Sequence, residues 1–341
     1  MTALSIIMSQ AIERKPKFSQ ELRDLYAPIQ AELDAVERIL REHLTSKHPF
    51  VDRLVKHGFR LGGKRMRPAL VLLSAKACGR LDEKHITLAA TVEMIHTATL
   101  IHDDVLDEAA IRRHLDTVNA RWDNETSILL GDYLFSQAIC MANSLDSSFA
   151  NQAISEATRA MCEGELRQVE SRGNFELSEE AYLDIISGKT AALISCCCQV
   201  SAHLAGATPE MREAFTRFGR YLGIAFQVVD DMLDVLGDEG TTGKSLGTDL
   251  LKQKATLPLI RLLDQLDDRH RPEVLAILAR SDNHKLQALQ PWFANSDALA
   301  YAREKALGFA SKAVDQLDGI ADETARDAFE RLVDFVISRK A

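Results

Sequence analysis

Proline is scarce in this sequence, eight in 341 residues, and β-branched residues nowhere alternate with polar ones, so neither a proline-rich linker nor a sheet is expected. A basic excess is missing too: 41 Lys and Arg stand against 50 Asp and Glu, a net charge of −9. That balance excludes a nucleic-acid partner, since affinity for polyphosphate chains comes chiefly from basic surface. The six cysteines lack zinc-site spacing, and Cys196-Cys197-Cys198 are consecutive in an apolar stretch. Reduced, buried thiols are the reading, with a disulfide or metal role the alternative. Long apolar runs are absent as well. Leu4 to Met8 is too short for a signal-peptide core, charged Glu13, Arg14 and Lys15 follow, and no other segment sustains the roughly 18–20 apolar residues of a membrane span. The expectation is a cytoplasmic protein with no transmembrane segment, meeting any lipid inside its own fold or at a bilayer surface.

What is present is helical periodicity. Residues 18–45 read as an amphipathic helix, and Pro68 to Ala77 as another that opens on proline and stops at Gly79. Thr87 to about Leu106 is apolar nearly all round, which predicts a central helix buried on most faces. Gly219 to Leu236 has the same character, and Gly237 to Lys244 reads as a polar loop. Residues 264–341 are amphipathic and carry no recognisable chemistry. With no linker and no internal repeat, one all-α domain over 1–341 is expected, a bundle of packed helices.

The chemistry sits on the two central helices. Asp103, Asp104 and Asp107 share a helix face, as do Asp230, Asp231 and Asp234. Like charges at this spacing repel, and the first trio also faces the negative end of its helix, so such clusters are costly unless a cation sits there. Six hard oxygen donors without histidine or cysteine suit Mg²⁺, which keeps waters and completes its shell with substrate phosphate; Mn²⁺ could substitute. A diphosphate ligand is therefore expected. Gly62-Gly63-Lys64-Arg65-Met66-Arg67-Pro68 offers a matching cradle, with glycines, Lys64 and Arg67 at a helix N-terminus. Arg112-Arg113 follows the first trio closely enough to fold over what it holds.

In order along the chain, GGKRMRP, EMIHTATLIHDDVLDEAAIRR, Gly131-Asp132, Gly164-Glu165-Leu166, Lys189-Thr190, GIAFQVVDDMLD, Lys244 and KATLP resemble the trans-isoprenyl diphosphate synthase family over about residues 60–260. The resemblance implies antiparallel helices around a deep cavity, a homodimer, and head-to-tail condensation of isopentenyl diphosphate with an allylic diphosphate. It assigns the six aspartates to Mg²⁺ ions bridging the allylic diphosphate, and Arg112, Lys189 and Lys244 to that diphosphate itself. Lys64, Arg67, His96 and Arg113 resemble the isopentenyl pocket; Thr190 and Gln227 match oxygens that face the allylic cation, and Lys254 a lysine near the closing loop.

Product length is expected to depend on Thr99, Ala98 and Ile95, four, five and eight residues before Asp103 and thus one to two turns deeper. Short-chain members of the family tend to place aromatic rings at the first two positions. Small residues there imply a long product, C35–C50 for a quinone side chain, with a geranylgeranyl or farnesyl product the alternative. One stretch departs from the pattern: His114-Leu115-Asp116-Thr117 stands where the family commonly has glycine and a turn-forming segment. A cyclase would not need Lys64, Arg67 and His96, and a non-catalytic subunit of a heteromeric synthase would be expected to have lost carboxylates.

Overall fold

The computed structural model describes residues 20–60, 63–236, 247–280 and 284–339. Lys244 and Gly62, both singled out from sequence, lie outside them. One helix was expected over 18–45; Pro28 instead breaks it into α1 (Gln20–Tyr26), a 3₁₀ turn at Ala27–Ile29 and α2 (Gln30–His43). Next come α3 (Pro49–Arg60) and α4 (Met66–Ala77), the latter followed by Gly79 at φ +79°, the left-handed stop that glycine allows.

The first central helix, α5 (Glu83–Leu106), begins four residues before its expected start because Asp82 caps it. The Asp82 carboxylate accepts from the Lys84 amide at 3.1 Å, and the Asp82 amide donates to His85 Nδ1 at 3.2 Å. A two-residue ladder follows, β1 (Ile111–Arg112) against β2 (Leu115–Asp116), then α6 (Val118–Arg121), α7 (Asn124–Ser144) and α8 (Ser148–Glu170). Next, α9 (Glu179–Ile186), a π-turn at Ser187–Ala191 and α10 (Ala192–Leu204) make one continuous run, and α11 (Pro209–Leu236) is the second central helix. The remainder is α12 (Thr248–Leu251), α13 (Leu257–Gln265), α14 (Arg271–Leu278), α15 (Lys285–Ala294), α16 (Ala298–Val314) and α17 (Glu323–Ile337).

Helix α5 packs against α2, α4 and α7, which accounts for its all-round apolar middle: Ala89, Ala90, Val92 and Ala98 are fully buried. Helix α11 packs against α10 and α16 and threads three apolar clusters, through Phe218, then Val228, then Val235. The run Glu179–Leu204 corrects one expectation. Its mean hydropathy reaches 1.3, long and apolar enough to cross a membrane, but 67% of that window is buried among other helices, the surroundings of a core helix. It also carries Lys189. All six cysteines are free; Cys196–Cys198 are buried, as expected, whereas Cys140 and Cys162 are exposed.

Candidate active site

At the C-terminal end of α5 the three aspartates meet three different surroundings. Arg112 Nε, partly buried, donates to the buried Asp104 Oδ1 at 2.7 Å. Asp107 accepts from Lys252 Nζ at 2.6 Å with Lys254 Nζ at 3.7 Å. Burial pushes the Asp107 carboxyl up, but the two lysines outweigh it and hold it below the ordinary range. The Asp103 carboxylate has no hydrogen-bond partner among the described residues. Burial raises it to about 6, Glu165 and Asp107 adding to the rise and Lys189 opposing it.

The second cluster, on α11, is met mainly by neutral donors. Asp231 accepts from Tyr182 Oη and Gln227 Nε2, both at 2.7 Å. Burial, with Asp249 nearby, lifts it well above the usual carboxylate range. Asp234 accepts from Thr248 Oγ1 at 2.9 Å and from the amides of Thr248 and Asp249 at 3.2 and 3.1 Å. Burial and Asp249 nevertheless raise it to about 6. Asp230 pairs with Arg339 Nη2 at 3.1 Å. The segment Thr248–Lys254 joins the clusters, its first residues on Asp234 and its lysines on Asp107, so both trios belong to one mouth.

Lys189 and Thr190 enter this mouth from the π-turn, a backbone irregularity that often marks function. Two glycines give the turn its seat. A Cβ on Gly164 would stand 2.5 Å from the Lys189 amide nitrogen, and one on Gly223 2.5 Å from Ala191 Cα. Lys189 Nζ donates to Gln168 Oε1 at 2.7 Å and pairs with Glu165; Thr190 Oγ1 donates to Gln227 Oε1 at 2.7 Å.

A cationic group lies beside them. Arg65, at φ 54°, anchors the loop before α4 by pairing with Glu93 at 2.6 Å and Glu37 at 2.5 Å. Its neighbour Arg67 buries Nε with no hydrogen-bond partner among the described residues, and a buried donor left unmade is costly unless a ligand takes it. Lys64 Nζ sits 4.8 Å from the Phe335 ring centre. Though the residue keeps solvent contact, desolvation at its ammonium, with Arg339 and Arg113 adding, brings it down to about 8. Burial, then Arg67, Arg113 and Arg112, holds His96 far below its usual value, so it is a neutral imidazole. The Arg113 guanidinium folds onto Gly63. Arg113 and His114 form a two-residue turn between β1 and β2 with φ of 52° and 62°, the left-handed geometry of a type I′ hairpin. His114 thus adopts at some cost the backbone that glycine would adopt freely.

Beneath Asp103, Ala98 is fully buried, Thr99 turns its hydroxyl back to the His96 carbonyl at 2.8 Å, and Ile95 reaches a cavity of about 120 Å³. Phe135, Ala138, Ala142 and Ile154, from α7 and α8, line it with Ile95. Sequence reasoning did not find Tyr182, Thr248, Lys252, Phe135 or Arg339. Only Tyr182 left a signal, two helical turns before Lys189 and so on its face.

A family model described as polyprenyl synthetase matches residues 48–293. The chain is 37% identical to an all-trans-nonaprenyl-diphosphate synthase (geranyl-diphosphate specific) of Rhodobacter capsulatus, over 93% of this chain and 98% of that one. It is 35% identical to the octaprenyl diphosphate synthase of Escherichia coli strain K12, over 90% and 96% respectively. A crystal structure of a polyprenyl synthase from Caulobacter crescentus, complexed with calcium and isoprenyl diphosphate, superposes with a TM-score of 0.89 at 32% identity, covering 96% of this chain and all of that one.

Proposed function

This chain belongs to the polyprenyl synthetase family and is a trans-prenyltransferase of the all-α isoprenoid synthase fold, and from that premise we propose that it extends farnesyl or geranylgeranyl diphosphate with isopentenyl diphosphate to an all-trans C35–C50 product. The observation that carries this reading is the joining of both aspartate trios and the Lys64, Arg67, His96 and Arg113 set around one mouth.

The donor set fits a divalent metal. All six candidate ligands are carboxylates, and among the described residues no three His, Cys, Asp or Glu side chains converge on one point. Mg²⁺ takes one or two carboxylates and fills its other positions with water and phosphate oxygens. Asp103, Asp107, Asp230 and Asp234 would hold Mg²⁺, or Mn²⁺ in its place. When bound, the metal neutralises charge on the allylic diphosphate. Arg112, Lys189 and Lys244 bind that diphosphate; Arg67, through its buried Nε, with Lys64, Arg113 and neutral His96, binds isopentenyl diphosphate. Lys254, paired with Asp107 and Asp249, orders the segment over the mouth. The allylic C–O bond breaks with its electron pair going to the diphosphate, and oxygens of Thr190 and Gln227 face the cationic carbon. The isopentenyl double bond supplies the pair for the new C–C bond, and the released diphosphate takes the proton.

The growing tail descends past Thr99 and Ala98 toward the cavity at Ile95, where Phe135 supplies a floor. Incubation with labelled isopentenyl diphosphate, farnesyl diphosphate and Mg²⁺, followed by product sizing, tests this. We expect C35–C50; a C20 product overturns the long-chain reading. Phe135→Ala should lengthen the product and Ala98→Phe shorten it, and an unchanged length in both moves the floor elsewhere. The working form is a homodimer in the cytoplasm that hands product to the membrane. Exposed Ile128 and Ile139, three turns apart on one face of α7, support a partner there.

A further inference from the structure

Four side chains on three elements form an unbroken hydrogen-bonded run behind the π-turn. Tyr182 Oη donates to Asp231 Oδ2, Gln227 Nε2 donates to Asp231 Oδ1, and Thr190 Oγ1 donates to Gln227 Oε1, each at 2.7 Å. Tyr182 is 3% exposed and Asp231 5%. Donors and acceptors are paired in one direction along this run. Both Asp231 oxygens accept, one from Tyr182 Oη and one from Gln227 Nε2, so the carboxylate faces the amide NH₂ of Gln227. That turns Gln227 Oε1 toward Thr190, whose hydroxyl then donates. The lone pairs left over on Thr190 Oγ1 and Gln227 Oε1 are the end of the run that the site receives.

Asp231 therefore differs from its neighbours in the trio. Asp230 faces Arg339, and Asp234, though also met by uncharged donors, accepts from Thr248 and two backbone amides of the segment over the mouth; Asp231 is the member of the trio tied to Gln227, the side chain that in turn accepts from Thr190. A reversed Gln227 amide would aim its NH₂ at Thr190 and present a donor edge, which repels developing positive charge. Oriented acceptors help only if something holds them before the charge appears.

We propose that Asp231 is a positioning residue rather than a metal ligand: with Tyr182 it sets the Gln227 amide so that Gln227 and Thr190 present acceptors to the cationic carbon of the allylic substrate. This rests on the reading above, in which those two oxygens face that carbon and other aspartates hold Mg²⁺.

The test compares Asp231→Asn and Tyr182→Phe with Asp103→Ala and Asp230→Ala. Asn offers one acceptor for two donors, so Asp231→Asn should lower kcat ten- to a hundredfold; Tyr182→Phe, which leaves the carboxylate, should lower it three- to tenfold. In both, the KM for each diphosphate and the Mg²⁺ concentration for half-maximal rate should stay within twofold of the parent. Calorimetric binding of Mg²⁺ with the non-ionising S-thiolo analogue of farnesyl diphosphate should be unchanged, and the double variant should be no slower than Asp231→Asn alone. The proposal is overturned if Asp231→Asn raises the Mg²⁺ requirement tenfold or weakens analogue binding to that degree, which is the behaviour of a ligand. Parent-like kcat in both variants overturns it as well. Tyr182→Phe removes a single hydroxyl and carries the test should Asp231→Asn fail to fold. Near-normal turnover in Asp103→Ala and Asp230→Ala would instead sink the metal reading, whatever Asp231→Asn does.

Discussion

Asp103-Asp104-Val105-Leu106-Asp107 and Asp230-Asp231-Met232-Leu233-Asp234 share a pattern and a place near the C-terminal end of an apolar helix, yet they are compensated in different ways. The first is met by cations: Arg112 on Asp104, Lys252 and Lys254 on Asp107. In the second, Asp231 and Asp234 are met by a phenol, an amide, a hydroxyl and backbone N–H groups, and among the described residues Asp230 alone has a cation, Arg339. Within each trio the carboxylates also differ, so spacing alone does not assign their work. Asp103, buried and with no hydrogen bond to its carboxylate among the described residues, and Asp234, crowded by Asp249, are raised to about 6; burial raises Asp231 as well, although Tyr182 and Gln227 hold both its oxygens.

The comparison can be broken most sharply at its outer members. Replacing Asp103 or Asp230 by alanine should cost roughly a thousandfold or more in turnover, read by steady-state assay with labelled isopentenyl diphosphate. A loss confined to one trio would mean that the clusters do not act on the same diphosphate.

A smaller effect, with opposite signs inside one trio, lies in metal-free stability. The folded state binds a proton at Asp103 more tightly than the unfolded chain, because its carboxyl moves from 3.8 to about 6. Its penalty is absent below about pH 4, grows as pH rises through 4–6, and is complete at pH 7, reaching about 3 kcal/mol at most. Asp103→Asn should therefore stabilise the protein in EDTA at pH 7 while abolishing turnover, and the gain should vanish near pH 4. Asp107 is depressed by its lysines, so its contribution is present at neutral pH and is lost as pH falls through its folded value. Asp107→Asn should cost about 1–2 kcal/mol at pH 7. Urea unfolding at pH 4 and 7 reads both, and the same sign for the two variants would erase the distinction drawn here.

The smallest effect expected is at Thr248. Thr248→Val removes one of three donors to Asp234 and should destabilise by about 1 kcal/mol, with a few-fold loss of activity. No change in either would mean that the backbone amides suffice.

Much of this was legible in the chain. Helix α5 was foreseen because its middle is apolar on every side, and α11 because apolar residues surround three aspartates. Two errors came where a local feature outranked periodicity: Pro28 split one predicted helix, and Asp82 lengthened another. Helix α11 also starts at Pro209, ten residues before the expected Gly219, and the short β1–β2 ladder was not expected. The π-turn was invisible, since it depends on Gly164 and Gly223 letting two other helices approach within van der Waals contact of it. At the hairpin, the absence of glycine cast doubt on the loop, yet Arg113 and His114 take the left-handed backbone all the same, bracketed by the pairing of Arg112 with Leu115.

Composition and spacing determined the helical class, the two carboxylate trios, the hard-metal chemistry they imply and the cationic residues near them, because each depends on residue type and helical period within one segment. Which aspartate is left for a metal, which is held by Tyr182, and which rides on Lys252 and Lys254 was decided by tertiary structure. Tyr182 lies 49 residues from Asp231 and the two lysines more than a hundred from Asp107; Gln227, one helical turn before Asp231, is the exception that the period already brings close. Neither burial nor the donor opposite a carboxylate is encoded in the five residues of the motif.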